Sequence, residues 1–122
     1  MADFRNLLVW KKSRILVVQI YKLTQKFPQS ELFGLTNQMR RAAVSISSNI
    51  AEGYGRQSDT EFLYFLRIAK GSLFEVETQL YIAQDLGYIQ DSENRSAQLL
   101  CDEISRMFSG LKQSLMAREK NL

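Results

Sequence analysis

Gln38, Arg41, Ser45, Asn49 and Glu52 recur at intervals of three or four residues. On a helix, that spacing sets them along one side. An amide, a guanidinium, a hydroxyl and a carboxylate in one line could form a small ligand pocket or a polar relay. The same line could instead pair two helices through hydrogen bonds and ion pairs. Buried polar groups need such partners, because each orphan costs about 1–3 kcal/mol. Glu75 can complete the line from a neighbouring helix, where Gly71 and Ser72 leave room for close approach and Glu75 and Glu77 come within reach of Arg40 and Arg41. The helix-pairing reading is favoured.

Catalytic chemistry finds little support elsewhere. The chain has no histidine, which removes the usual general base and the commonest metal ligand. Glu75 and Glu77 are two residues apart, so on a helix they point about 200° apart and cannot act as a pair. Cys101 falls on an apolar stripe and reads as a buried, inert thiol. Gly53-Tyr54-Gly55 lacks the Lys-Ser/Thr and the preceding strand of a phosphate-binding loop. No catalytic residue, metal or cofactor is expected, and the chain does not read as an enzyme.

Charge offers a better lead. The net charge is +3, and between Phe4 and Ser30 the charged residues are Arg5, Lys11, Lys12, Arg14, Lys22 and Lys26, with no acid. Lys11, Arg14, Lys22 and Lys26 are expected along one exposed side of the first helix, with Lys12 at its edge. Such a stripe could hold RNA, since polyanion binding sums over phosphate contacts. The bland alternative is a solvated face.

The elements that position these residues follow from apolar spacing. Helical periods predict helices over 6–26, 31–53, 59–86 and 92–116 within one domain of 1–122. Ser30 is expected to cap the second helix and Gly53 to end it. Ser58-Asp59-Thr60-Glu61 reads as a capping box, Gly87 as the next stop, and Asp91 or Ser92 as the last cap. The chain should fray from Ala117. Short connections predict an all-α, antiparallel up-down-up-down four-helix bundle. The third helix is apolar on most sides. Leu63, Phe74 and Tyr81 make a second stripe on it, and Phe33, Val44 and Ala51 repeat the same spacing on the second helix. A helix apolar all round is buried all round, so a subunit interface is expected at these six residues. A single cysteine, no apolar leader and no membrane-length apolar window predict a cytoplasmic protein that does not engage a membrane.

The run from Gln38-Met39-Arg40-Arg41-Ala42-Ala43 through Ser48-Asn49-Ile50-Ala51-Glu52-Gly53 resembles the signature of the bacterial four-helix-bundle family first known from intervening sequences in 23S ribosomal RNA genes. Leu8-Val9-Trp10, Ile20-Tyr21 and Phe27-Pro28 match that family's opening. Phe62-Leu63 and the run Ile68 to Thr78 match its third helix. The likeness covers roughly residues 4–90, with Lys11-Lys12-Ser13 a small departure. It implies a left-handed up-down bundle assembled as a homopentamer. It also implies kinship with the accessory proteins of diversity-generating retroelements, basic pentamers that engage a reverse transcriptase and nucleic acid. The leading expectation is an RNA- or nucleoprotein-binding scaffold. A protein-interaction module with no nucleic-acid role is the alternative, and a small-molecule pocket at the polar line is a third.

Overall fold

The computed structural model describes residues 3–120, with side chains through Arg118. The extreme ends of the expected domain therefore lie outside the described residues. Four α-helices carry the fold: α1 (Leu8–Thr24), α2 (Asn37–Gly55), α3 (Asp59–Asp85) and α4 (Asp91–Lys120). No strand occurs among the described residues.

A 3-10 turn, Phe4–Asn6, leads into α1, with Asp3 accepting the Arg5 N–H at 2.9 Å. Along α1, Ser13, Leu16, Ile20, Leu23 and Thr24 bury one side. Thr24 Oγ1 donates back to the Ile20 carbonyl at 2.8 Å. The helix stops short of Pro28, whose ring disfavours helical geometry in the residue before it.

The entry to the second helix differs from the expectation of a single helix from residue 31. Gln29–Glu31 forms a 3-10 turn and Leu32–Thr36 a π turn before α2 begins. Gly34 breaks the helical path with φ −112° and ψ −115°. Glu31, rather than Ser30, caps this start. Its Oε1 accepts the Leu35 N–H at 3.2 Å, and its Oε2 accepts the Tyr88 hydroxyl at 2.7 Å. A carboxylate makes the stronger, charge-assisted bond to an orphan amide, which explains why it displaces the serine. The turn leaves Leu32 exposed and Phe33 91% exposed.

The other end of α2 also differs. The helix runs through Gly53 to Gly55. Gly53 is there for close approach: a Cβ on it would lie 2.6 Å from Phe65 Cβ and 3.1 Å from Phe62 Cδ1. Gln57 makes the turn in the left-handed region, at φ 59°. Ser58 then caps α3 as expected, its Oγ accepting the Glu61 N–H at 3.3 Å. Gly87, at φ 79°, closes α3. The Gly87 N–H donates to the Gln84 carbonyl and the Tyr88 N–H to the Ala83 carbonyl, both at 2.9 Å. That pair of bonds is a Schellman motif. Glu93 Oε1 accepts the Gln90 N–H at 2.9 Å to start α4. The helix continues past the expected fraying point at Ala117. Arg118 donates Nε and Nη2 to Asp59 at 2.9 and 2.6 Å.

Each helix packs on the next, and α1 meets α4, with α2 against α3 the most extensive contact. Ser13 meets Ser47 and Thr24 meets Arg40. Gly53 meets Phe62, and Ser45 meets Ser72. The core inside is mainly apolar, with Leu16, Ile20, Met39, Ile46, Ile50, Leu73, Leu80 and Ile104 fully buried.

The glycines make a direct test of this packing. Gly71, expected to permit close approach, has open space around a Cβ. Gly71→Ala should therefore stabilise by about 0.5–1 kcal/mol through helix propensity. Gly53→Ala gains the same propensity but must push Phe65, and should destabilise by about 1–2 kcal/mol. Urea midpoints of the two variants would measure this, and equal midpoints would refute the close-packing role of Gly53.

Candidate functional site

The structure divides the polar line. Ser45 is the node: Ser72 Oγ donates to Ser45 Oγ at 3.0 Å, and Asn49 Nδ2 donates to the same oxygen at 3.0 Å and to the Ser45 carbonyl at 2.8 Å. Glu52 pairs with Arg56 at 2.9 Å, one turn on. Gln38, Arg41, Ser45 and Glu75 line an open groove of about 490 Å³ between α2 and α3. Arg40 departs from expectation. It turns to α1, donating Nε to Thr24 Oγ1 at 2.9 Å and stacking on Tyr21 with its guanidinium 4.6 Å from the ring centre. The line thus reaches α3 through the Ser72–Ser45 bond, and the space beside it is a groove rather than an enclosed cavity.

The basic stripe divides too. Lys12 is held by Glu103 of α4 at 3.1 Å, and Lys26 by Glu93. Arg14 stacks on Trp10, its guanidinium 4.7 Å from the ring centre. Lys11, Arg14 and Lys22 are exposed with no ion pair among the described residues, and of these Lys11 and Lys22 also have no ring contact. Ile15 and Val18 are exposed between them. Two of the five cations are therefore spent on fastening α1 to α4. Glu93 and Glu103 were not legible as partners, because their pairing needs the register between two helices some ninety residues apart at their extremes.

The six expected interface residues fall into separate groups. Val44 borders a groove between α1 and α2 with Tyr21 and Arg40. Ala51 is half-buried, two turns further along the same side. The π turn breaks helical phase between Phe33 and Val44, so Phe33 stands apart from that stripe. Leu63 and Phe74 lie on the other side of the pair, in a groove of about 640 Å³ between α3 and α4. Leu66, Phe108 and Met116 give it apolar walls, and Arg67, Lys70 and Lys112 also line it. Tyr81 continues the α3 stripe and is exposed.

Two buried groups complete the inventory. Cys101 is buried, and burial pushes its thiol up to about 12, helped by the nearby charges of Glu77 and Asp102. It holds no thiolate at neutral pH. Glu77 sits between α3 and α4 with Oε2 buried and unbonded. Desolvation, then the Asp102 charge, raises its carboxyl above the ordinary range. Beside it Asn94, which the sequence did not single out, is buried and fully engaged. Its amide nitrogen donates to Gln84 Oε1 at 2.7 Å and its oxygen accepts from Gln98 Nε2 at 3.1 Å. No group of His, Cys, Asp and Glu suited to hold a metal occurs among the described residues. None of the helices among them is long and apolar enough to cross a membrane.

The described residues thus form an all-helical bundle with a polar seam between α2 and α3 and exposed apolar stripes. The chain belongs to the 23S rRNA-intervening sequence protein family, whose profile matches residues 5–110. Its fold is similar to the crystal structure of a protein of unknown function from the S23 ribosomal protein family of Bacteroides thetaiotaomicron. The TM-score is 0.80 at 26% identity, covering 87% of this chain and 96% of that one. No curated protein matches the sequence.

Glu77 gives a pH test. A carboxyl raised on folding favours the folded state only when protonated, so its contribution is present at acid pH and lost as pH rises through the folded value. Glu77→Gln should raise the unfolding midpoint at pH 7, and the gain should vanish below the ordinary carboxylate range. Thermal unfolding across pH 3–8 reads this out. A gain that persists unchanged at pH 3 would show that burial of the charge is not the cause.

Proposed function

We propose that this chain is a non-enzymatic cytoplasmic scaffold, an antiparallel up-down-up-down bundle that assembles with copies of itself into a closed ring. The observation that carries the reading is the separation of the exposed apolar stripes. Val44 borders the groove toward α1, whereas Leu63 and Phe74 line the groove toward α4. Two different patches on two sides of one chain suit a head-to-tail contact, which closes into a ring when the rotation per subunit allows it. Five copies is the number implied by the family resemblance. The alternating register of successive helices supports the up-down order. The lack of histidine, the unreactive Cys101 and the structural use of the polar line support a role without catalysis. A buried lone thiol also suits a reducing compartment.

Solution mass tests the arrangement. Phe74→Asp and Val44→Asp should each give smaller species, because each spoils one half of every contact. Mixed together, they should form a one-to-one dimer, since each variant keeps the half that the other lacks. A Val44→Asp protein that keeps the full mass would overturn the head-to-tail ring.

A second reading, nucleic-acid binding through α1, is favoured by one observation: Lys11 and Lys22 remain unpaired on a face without acids. The pairing of Lys12 and Lys26 to α4 counts against a wide phosphate track. If RNA is bound, each chain offers at most about three phosphate contacts, for a salt slope of about −2 per chain on a single strand. Lys11→Glu/Arg14→Glu/Lys22→Glu should abolish retention on an RNA column, whereas Lys12→Glu/Lys26→Glu should weaken folding first. Absence of retention at low salt would remove the reading.

A further inference from the structure

Leu8, Lys11, Ile15, Val18 and Lys22 are spaced 3, 4, 3 and 4 residues apart along α1. That is the a/d repeat of a coiled-coil seam. Inside a bundle such a seam would be buried. Here it points outward: Leu8, Ile15 and Val18 are 59%, 55% and 53% exposed. The helix already has a separate buried side, built on Ser13, Leu16, Ile20 and Leu23. α1 therefore carries two packing faces, and the bundle uses one.

A wall for the second face comes from α4. Lys12 and Gln19 bracket Ile15 along α1, and their partners Glu103 and Ser96 bracket Leu99 along α4. Ile15 and Leu99 therefore stand at one level on either side of the α1–α4 seam. Leu99 is 69% exposed. The seam's two lysines have no acid: the nearby carboxylates Glu103 and Glu93 are taken by Lys12 and Lys26. On α4, exposed Arg106 has exposed Asp102 one turn before it and Arg95 is engaged by Asp91, so the selecting charge of the seam rests on Lys11 and Lys22.

We infer that the outer face of α1 docks an amphipathic helix of a partner protein, with apolar a and d residues and acidic residues opposite Lys11 and Lys22. Apolar anchors at heptad spacing fit a helix laid along the seam. The unpaired lysines select its charge and exclude a second copy of the same face, which would bring lysines to lysines. A polyanion would use Lys11 and Lys22 but gain nothing from Ile15, Val18 and Leu99.

The test uses the full chain and a synthetic three-heptad helix with leucine at a and d and glutamate at e and g, against the same peptide with lysine for glutamate. The acidic peptide should bind tightly and the basic one weakly. Ile15→Ser/Val18→Ser should cost about tenfold or more in affinity, and Lys11→Glu/Lys22→Glu should exchange the preference between peptides. All four positions are exposed, so helix content and assembly mass should be unchanged, which separates failure here from failure of the ring. Equal binding of both peptides, no binding of either, or indifference to Ile15→Ser/Val18→Ser would overturn the inference. So would single-stranded RNA or anionic vesicles binding through Ile15 and Val18 in place of the peptide.

Discussion

The closeness of α2 to α3 is the constraint on which most of the molecule depends. At Gly53 the backbone of α2 rests on Phe62 and Phe65 with no space for a methyl group. About two turns away, the hydroxyls of Ser45 and Ser72 meet at 3.0 Å. Small residues at these contact points, Gly53, Ser45 and Ser72, let the two helices come this close. A seam this tight also fixes the rotation of α3. With Leu66, Ala69, Leu73 and Val76 turned to the core, Phe74, Tyr64 and Tyr81 have to face outward.

The joint between α1 and α4 is made differently. It relies on ion pairs at Lys12 and Lys26 and a long 3.4 Å bond from Gln19 to Ser96. Half-exposed ion pairs contribute only about 0–1 kcal/mol each and weaken with salt. The bundle is thus closed by its softest seam, next to an α1 face that has apolar residues to spare. Stiffness lies at α2–α3, and the adaptable surface lies opposite.

What the sequence made legible follows from how local each signal is. Ser58 and Gly87 act within one turn, and both do what their residue types require. The core stripes were legible because 3.6-residue spacing needs no partner to be read. Ser30 lost its expected cap because Glu31 is also anchored by Tyr88, far along the chain. Arg40 was expected at α3 and Gly71 at a close approach. Both depended on helix rotation, which is a tertiary quantity, and the structure instead gives Arg40 to Tyr21 and Thr24 and the close approach to Gly53. The basic stripe was visible as a run without acids. Its division into fastened and free lysines was not, because that depends on where α4 lies.

The π turn before α2 has a consequence for how this protein can vary. At Gly34 the backbone leaves helical geometry, so the turn is a kink between two helical pieces. Residues on its two sides answer to different phases, so a change before it does not propagate into the core after it. Leu32 and Phe33 can therefore drift in identity while Met39, Ala42, Ala43 and Ile46 stay bound to their packing. The turn gives the bundle a tip whose exposed residues are uncoupled from the core, with Glu31 and Tyr88 holding its base in place.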